Sequence, residues 1–517
     1  MTYFFETYGC QMNIAESAAV EQLLIARGWT KASDAQFADM VIINTCSVRA
    51  SAESRIIGRL GYFTGLKAVR EKRPHAKTRK MEEAAAYVKD GPIPLTLVVM
   101  GCMAERLLDS LKKDWPAIDY VVGTFAKNKF GDIITAAQDR TAQNAAADCK
   151  PKSGGAISAG QNRSQSQKAA AQKMSGSSPN MTGQDKKFGA DIGATIDEKP
   201  VYRFASLSLE PGAFSSFVPI MNGCNNFCAY CIVPYVRGRE VSRPLTEIFD
   251  EIKVLGGYGV KEITLLGQNV NSYLCEDAEF GRVDFPRLLE LICRKIEETG
   301  SPIKWIRFDS SHPKDLSDRL IEVMAKEEKI CKHIHLPVQH GSTKILQRMN
   351  RRYTREHYLE LVQKIRAAMP DISLTTDIMI GFPGETEEDF EEAYSLMKEV
   401  GYEDAFMYYY NPREGTPAAT WPDQISLETK KERLQKIIDL QLVITQAEME
   451  KQVGKTITVL ADKTTLENPN ELLGKTERDE RVAFAADKSL IGSFVRVRLT
   501  SLNGHTFKGI LEPGTAK

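Results

Sequence analysis

The stretch that decides the fold is residues 219–239, PIMNGCNNFCAYCIVPYVRGR, in which Cys224, Cys228 and Cys231 follow one another at C-x-x-x-C-x-x-C spacing. The apolar run before it, residues 217–221, predicts a buried strand, and Gly223 permits a tight backbone turn after that strand. Three thiolates on so short a loop can surround one metal centre. Because no fourth cysteine is near in sequence, one coordination position stays open. This pattern favours an iron-sulfur cluster with an open iron over a closed zinc site with four ligands.

The alternative for these cysteines is a structural zinc knuckle completed by a distant Cys or His. The spacing, with Tyr230 as the aromatic residue before the last cysteine, resembles the signature of the radical S-adenosylmethionine (SAM) superfamily. That resemblance implies a 4Fe-4S cluster whose open iron binds SAM and whose reduction releases a 5′-deoxyadenosyl radical. Such a radical removes hydrogen from carbon atoms that no protein base can deprotonate.

The composition is that of an enzyme-sized protein with ordinary globular cores. The chain has 517 residues, 42% hydrophobic and 26% charged, which is enough for about two to four domains. Its net charge of +0 argues against general polyanion binding, so a nucleic-acid site has to be a local basic patch. No apolar stretch reaches the length of a membrane span and the N-terminus lacks a signal-peptide pattern, so we expect a cytoplasmic protein with no membrane contact. Ten cysteines in that compartment point to metal ligation more than to disulfides.

Residues 1–140 alternate between strand-like and helix-like segments, which predicts a small parallel α/β domain. Strand-like segments at 3–7, 40–45 and 95–100 lead to Cys10, Cys46 and Cys102. Because the carboxyl ends of parallel strands share one edge of a sheet, we expect these three thiols to converge there. One such cysteine alone is better explained as a small buried apolar residue. Three at matching positions predict a second iron-sulfur cluster, again with an open iron.

Two segments interrupt this organisation. Residues 66–94 are basic and then helix-like, and we expect an inserted surface hairpin or helix there. Residues 141–200 are rich in Gln, Ser, Ala, Gly and Lys and carry almost no large apolar residues. Such a composition buries too little surface to fold, so we expect a disordered insertion or linker in which Cys149 is a free surface thiol.

Residues 201–452 predict a partial (β/α)6 barrel followed by a connecting helix. The candidate strands are 217–221, 262–266, 304–308, 333–337, 374–380 and 405–410, with helical stretches between them. As in complete barrels, we expect the chemistry at the carboxyl ends of the strands. The resemblance to radical SAM proteins implies that Gly267, Gln268 and Asp377 contact SAM and that Tyr230 lies near its adenine. A polar residue such as Asp377 inside an apolar strand can equally be a satisfied core hydrogen-bonding group.

Two basic groups can meet nucleic acid. They are Arg237, Arg239 and Arg243 after the cysteine loop, and Lys344, Arg348, Arg351, Arg352 and Arg355 further on. Each group can also be a solvated helix face. Their place on barrel loops beside the presumed site favours the binding interpretation.

The C-terminal region, residues 453–517, predicts a small β-barrel. Three segments, 456–460, 481–484 and 494–499, alternate like strands and are separated by glycines. This pattern is typical of an oligonucleotide-binding barrel and resembles the TRAM domain, an RNA-binding appendage. Basic and acidic residues nearly balance there, so the charge alone says little about RNA.

Apart from the two insertions, the whole plan resembles the radical SAM methylthiotransferases. The motifs that carry the resemblance are Gly9-Cys10-Gln11-Met12-Asn13, Asn44-Thr45-Cys46-Ser47-Val48-Arg49 and Gly101-Cys102, together with the central cysteine loop. Three types share this plan and act on isopentenylated adenosine in tRNA, on threonylcarbamoylated adenosine in tRNA, or on an aspartate of a ribosomal protein. Residues 228–240, 265–273 and 348–351 look most like the first, the MiaB type. His340 departs from that pattern, which has a serine there.

The resemblance implies a transferase that adds a methylthio group at C2 of isopentenylated adenosine next to the anticodon in tRNA. It implies two 4Fe-4S clusters, one on Cys224, Cys228 and Cys231 and an auxiliary one on Cys10, Cys46 and Cys102, with SAM as the other cofactor and no catalytic residue beyond the cluster ligands. We also expect an external electron donor such as flavodoxin or ferredoxin, a sulfur donor, and a monomer. The contrasting hypothesis is a non-catalytic iron-sulfur protein that binds RNA or transfers electrons. Formation of 5′-deoxyadenosine by the reduced protein separates the two hypotheses.

Overall fold

A computed structural model of the chain describes residues 1–47, 50–74, 79, 81, 82, 85, 94–148 and 212–513. The N-terminal region is a parallel sheet with helices on both faces. Its strands are β1 (Thr2–Thr7), β2 (Thr30–Lys31), β3 (Met40–Thr45), β4 (Thr96–Gly101) and β5 (Tyr120–Val122), in the order β2-β1-β3-β4-β5. Its helices are α1 (Gln11–Ala26), α2 (Ala50–Arg70), α3 (Cys102–Arg106), α4 (Leu108–Asp114) and α5 (Phe130–Asp148).

The central strands β3 and β4 are buried at every residue, as expected for parallel strands covered on both faces. Alternate residues of β3 enter two different cores. Val41 and Ile43 pack with α2, α3 and α4, whereas Met40 and Ile42 pack with α1 and α5. The sheet therefore holds its strand ends in a fixed order at one edge.

The two segments predicted as insertions are only partly described. Residues 66–70 belong to α2, and Lys67 and Arg70 are buried, so the surface interpretation is wrong for them. Lys67 donates to the Ala117 carbonyl oxygen and Arg70 to that of Pro94. Most of residues 75–93 lie outside the described residues.

The boundary predicted at residue 140 falls inside a helix. Helix α5 continues to Asp148, because the alanines of residues 141–148 are strong helix formers. The prediction of disorder for residues 149–200, including Cys149, lies outside the described residues.

The central region has six parallel strands that form an incomplete barrel, as the sequence predicts. The strands of the region are β6 (Ser215–Pro219), β7 (Met221–Asn222), β8 (Val241–Ser242), β9 (Glu262–Leu266), β10 (Leu274–Asp277), β11 (Gly281–Asp284), β12 (Trp305–Phe308), β13 (His333–His335), β14 (Ser373–Ile380) and β15 (Asp404–Tyr409). The six parallel strands are arranged as two sheets, β12-β9-β6 and β13-β14-β15, joined by a parallel bridge between Ile306 and Ile330.

The helices of the central region cover the outer face of these strands. They are α6 (Val233–Arg237), α7 (Leu245–Gly257), α8 (Phe285–Glu298), α9 (Asp318–Lys326), α10 (Thr343–Arg348), α11 (Arg355–Ala368), α12 (Glu387–Val400) and α13 (Leu427–Glu450). Ile263, Ile306 and Ile378 point outward from their strands into this largest core. The strand residues between them, such as Thr264, Arg307 and Asp377, therefore face the interior of the barrel.

The C-terminal region is a closed barrel, which confirms the predicted small β-barrel. Its strands are β16 (Thr456–Thr464), β17 (Glu471–Thr476), β18 (Arg481–Ala485), β19 (Phe494–Asn503) and β20 (Thr506–Leu511), in the order β16-β17-β18-β20-β19. This barrel packs against the amino ends of the central strands. Arg307 donates to the carbonyl oxygens of Thr476 and Glu477, at 2.6 and 2.9 Å. The carboxyl ends of the strands are thereby left for the candidate site. Within the described residues, no helix is both long enough and apolar enough to cross a membrane.

Candidate active site

The central cysteines lie on the loop between β7 and α6. Gly223 begins this loop with a φ of 82°, a left-handed conformation that glycine adopts at low cost. An added Cβ at Gly223 would lie 2.0 Å from the Arg239 carbonyl oxygen. The Cys224 amide also donates to the Gly238 carbonyl oxygen, at 3.1 Å. The start and end of the loop are thus held together by backbone contacts.

Cys228 is buried and Cys224 and Cys231 are partly buried. Burial raises the pKa of Cys224 to about 11 and raises the pKa of Cys231 well above its ordinary value. A fixed positive charge stands beside them, because Nη1 of Arg351 lies 3.7 Å from Sγ of Cys228. Such a charge favours thiolates over thiols. The donor set therefore suits a soft metal centre that is bound by thiolates.

Arg351 is held in place from two sides. Its Nη2 donates to the Pro337 carbonyl oxygen at 2.8 Å, and its Nε donates to the Tyr353 hydroxyl at 2.9 Å. It is buried, so the prediction that Arg351 contacts nucleic acid is wrong. Its charge is directed at the cysteine loop instead.

The residues predicted to contact SAM lie around this loop. Oε1 of Gln268 accepts from the Gly223 amide at 2.6 Å, which ties the β9 loop to the cysteine loop. An added Cβ at Gly267 would lie 2.4 Å from Cγ of Met221, so this position accepts no larger side chain without a shift. Tyr230 is partly buried, with its ring 6.4 Å from that of Phe382. Asp377 lies on the inner face of β14, with Oδ2 3.6 Å from Nε2 of His335. Their contacts with SAM remain predictions.

The three N-terminal cysteines follow strands that are neighbours in the sheet. Cys10 comes after β1, Cys46 after β3 and Cys102 after β4. The structure brings them together. Burial raises the pKa of Cys102 to about 12, Arg237 opposes this rise, and the nearby charges of Cys46 and Cys10 add to it. The Cys102 thiol therefore needs a compensating charge to ionise, and the Arg237 guanidinium supplies one.

A buried amide network supports these strand ends. Asn13 donates to Oδ1 of Asn44 at 2.9 Å, and Asn44 donates to the Asn13 carbonyl oxygen at 2.9 Å. Asn13 also lies 3.3 Å from Sγ of Cys10. The network joins α1 to β3 and so fixes the positions of Cys10 and Cys46 relative to each other.

The two cysteine sites are in contact through α6, the helix after Cys231. Cys102 packs against Ile232 and Val236 of this segment. The next residue, Arg237, donates to Oε1 of Glu16 in α1 at 2.9 Å. The N-terminal cysteines therefore lie directly against the central cysteine loop.

Glu16 is the centre of a buried charge network that sequence reasoning missed. Lys127 contacts the same carboxylate, and Arg237 also donates to Oδ1 of Asn222 at 2.9 Å. Burial alone would raise the pKa of Glu16, but Arg237 and Lys127 outweigh it and lower that pKa to about 2. The only sequence signal is a charged residue one turn after Asn13 on the same helix.

The prediction of two basic surfaces is only partly correct. Arg237 and Arg243 are buried, the latter against Glu251, so they do not form a nucleic-acid surface. Arg239 is exposed and lies over the Phe227 ring. In the second group Lys344 and Arg352 are exposed, whereas Arg348 is partly buried and pairs with Asp423.

The other polar candidates serve local structure. His340 is fully buried, with Nε2 3.2 Å from Oε2 of Glu385, and its Nδ1 accepts from the Ser342 amide. His312 caps the short turn that follows it. Cys293 and Cys331 are buried and Cys275 is partly buried.

The arrangement of the cysteines bears on the zinc alternative. Within the described ranges, no group of three or more His, Cys, Asp or Glu side chains is arranged to hold a single metal ion. A cubane cluster instead distributes its thiolates over different irons, so its ligands stand further apart than the ligands of one ion. The fit to iron-sulfur clusters rests on the chemistry of the donors, because three thiols at each site are soft ligands of the kind that such clusters take.

Family models match three parts of the chain. The Radical SAM superfamily matches residues 218–397, Uncharacterized protein family UPF0004 matches residues 2–123, and the TRAM domain matches residues 450–511. A Treponema pallidum protein named tRNA-2-methylthio-N(6)-dimethylallyladenosine synthase is 48% identical over 521 residues, which cover 100% of both chains. This chain belongs to the MiaB-type methylthiotransferase family.

Other members of the family carry the same name. The Treponema denticola protein is 47% identical over 99% of this chain and 100% of its own. A Clostridium botulinum protein is 38% identical over 98% of this chain and 96% of its own. The radical SAM methyltransferase TsrM from Kitasatospora setae shares only the fold with this MiaB-type chain, at 13% identity and a TM-score of 0.51 over 81% of this chain and 75% of that one.

Proposed function

We propose that this chain adds a methylthio group at C2 of isopentenylated adenosine beside the anticodon of tRNA. The observation that carries the proposal is the contact between two three-cysteine sites. Cys102 packs against the segment that follows Cys231, and Arg237 of that segment is paired with Glu16. An iron-sulfur electron carrier has no need of a SAM-binding barrel around one of its sites. The name of the full-length relatives specifies the isopentenylated substrate.

Each site would hold one 4Fe-4S cluster. Cys224, Cys228 and Cys231 would bind the cluster that cleaves SAM, and Cys10, Cys46 and Cys102 the auxiliary cluster. The bound groups supply a radical able to remove hydrogen from the C2–H bond, which is not acidic enough for a side-chain base, and a sulfur species for transfer. The chain supplies the fixed positive charge of Arg351 and the loop contact of Gln268.

The partners follow from this chemistry. We propose tRNA as the substrate, a reductant such as flavodoxin or ferredoxin, a separate sulfur donor, and a monomeric enzyme. The modified base lies in the anticodon loop, so it can be reached without melting a helix. Exposed Arg239, Lys344 and Arg352 are the residues of the predicted basic groups that lie on the surface, and we propose that they contact phosphate.

The test is a count of iron and acid-labile sulfide after anaerobic reconstitution, combined with product analysis. The parent chain is expected to hold about eight irons, and Cys10→Ala/Cys46→Ala/Cys102→Ala about four. That triple variant is expected to form 5′-deoxyadenosine from SAM but no methylthio product on an isopentenylated anticodon stem-loop. About four irons in both proteins would overturn the auxiliary cluster. Modification of a threonylcarbamoylated stem-loop or a ribosomal protein instead would overturn the substrate assignment.

A further inference from the structure

Two large aromatic side chains are exposed inside the barrel. Phe406 and Tyr408 of β15 are 48% and 36% exposed, although both belong to a strand of the central sheet. Between them along the strand, Ala405 is buried and Met407 packs against the core formed with the helices. Because side chains alternate along a strand, Phe406 and Tyr408 face the opposite way, into the interior.

The register of β14 and β15 confirms this direction. Asp377 is paired with Phe406, and Met379 with Tyr408. Paired residues of neighbouring strands point to the same face of a sheet. The Phe406 ring is 5.7 Å from the ring of His335 in an edge-on arrangement, and His335 is the residue that lies beside Asp377. The Phe406 ring therefore stands beside the residue predicted to contact SAM, and Tyr408 follows two residues further along the same face.

The segment that follows β15 reaches the N-terminal cysteine site. Arg413, four residues beyond β15, lies 3.5 Å from Glu53 of α2 and is near Cys46. On the other edge of the open barrel, Phe217 of β6 and Leu266 of β9 pack with Met12 and Cys10. The interior between the two edges is thus bounded by the aromatic pair on one side and by the N-terminal cysteine site on the other.

We infer that Phe406 and Tyr408 stack on the purine ring of the substrate nucleotide and contact its N6 apolar substituent. This inference rests on the proposed function. A flat ring that leaves its own stack needs a new apolar surface, and aromatic side chains provide one for single-stranded RNA bases. The isopentenyl group adds apolar area that favours the same rings over water. The two residues are therefore assigned to selection of the prenylated base.

The experiment compares binding of two synthetic anticodon stem-loops, one with N6-isopentenyladenosine and one with adenosine at the same position. The proteins are the reconstituted full chain and its Phe406→Ala and Tyr408→Ala variants. Each alanine variant is expected to bind the prenylated stem-loop about five- to a hundredfold more weakly, with the affinity for the unprenylated one changed less. Phe406→Tyr and Tyr408→Phe are expected to retain the preference, because each keeps a ring. Tyr258→Ala removes an aromatic side chain that is 69% exposed outside the barrel and serves as the control.

The affinity for SAM and the SAM cleavage rate without RNA separate the possible results. Unchanged values for SAM with a lost preference for the prenylated stem-loop support the inference. A matching loss of SAM affinity would overturn it, because the rings would then serve the cofactor. If the parent and the variants all bound the prenylated and the unprenylated stem-loop equally well, the inference would be overturned as well. If the parent itself fails to cleave SAM, the proposed function fails, which is a different result from a parent that cleaves SAM and ignores the prenyl group.

Discussion

The two cysteine sites lie against each other but are built in different ways. The central site is one short loop, shaped by Gly223 and by backbone contacts to residues 238 and 239. The N-terminal site is assembled from the ends of β1, β3 and β4, so its shape depends on a whole sheet and on the interface with α6. A substitution far from any cysteine can therefore disable the N-terminal site while the central site keeps its geometry.

The largest expected effect is that of Glu16→Leu. This change removes the carboxylate shared by Arg237 and Lys127 at the interface, and breaking a buried charge network costs about 3–5 kcal/mol. We expect the free energy of unfolding of the apo protein, measured in urea, to fall by this amount. We also expect the reconstituted protein to lose the N-terminal iron. Glu251→Leu is the matched control, because it removes a buried partner of Arg243 within the central region alone. Equal loss of N-terminal iron in both variants would contradict a special role for the interface.

Arg351→Met tests the electrostatics of the central site. It removes a buried cation beside Cys228 together with two hydrogen bonds, at a cost of about 1.5–3 kcal/mol. In a background without the N-terminal cysteines, we expect a more negative midpoint potential for the central cluster, since less positive charge stabilises the added electron. Redox titration followed by electron paramagnetic resonance measures it. Exposed Arg352→Met is the control, and a midpoint shared by the two variants would show that Arg351 does not tune the cluster.

The iron content of Asn44→Ala and Asn225→Ala tests how far each cysteine site depends on side-chain hydrogen bonds. Asn44 is buried and bonds to Asn13 and Ser17, so its loss leaves buried groups unsatisfied at a cost of about 1–3 kcal/mol. We expect iron to fall from about eight toward about four per chain. Asn225 is exposed on the central loop and exchanges hydrogen bonds with Glu240. If Asn225→Ala lost as much iron as Asn44→Ala, the backbone would not be the main support of the loop.

The smallest effect is a pH dependence at the interface. The folded-state pKa of Glu16 is lowered to about 2 by Arg237 and Lys127, against 4.5 ordinarily, in spite of its burial. Its contribution to stability is therefore fully present above pH 4.5 and is lost as the pH falls toward 2. The difference in melting temperature between the apo parent and Glu16→Gln is expected to stay constant from about pH 8 to about pH 6 and to shrink as the pH falls below 4.5. A difference that already changes between about pH 8 and about pH 6 would mean that another group titrates with the interface.

The sequence was sufficient for the features that depend on local spacing or on strand order. The spacing of Cys224, Cys228 and Cys231 predicts a shared centre directly, and the strands before Cys10 and Cys46 predict one sheet edge. Burial of single charges was not predictable. The sequence predicts nucleic-acid contacts for Arg237 and Arg351, because an arginine on a loop gives the same sequence pattern whether its side chain meets solvent or a buried partner.

Contacts between segments that are distant in sequence could not be predicted either. Glu16 and Arg237 are separated by 221 positions, and no periodicity relates them. Phe406 and Tyr408 alternate as strand residues do, but only the register with Asp377 shows that they face an open interior. These features depend on how the N-terminal and central regions pack.

The packing of the C-terminal barrel against the central strands has a practical consequence for truncation experiments. Arg307 is paired with Glu262 inside the central region and also donates to Thr476 and Glu477, while Trp305 packs edge-on against Phe494. A chain cut after α13 would open the floor of the catalytic barrel to solvent. Lost RNA affinity in such a fragment would report damage to the enzyme core as much as removal of an RNA-binding module. Charge reversals at exposed Arg496 and Arg498 leave that floor covered and are the cleaner way to ask what this barrel contributes.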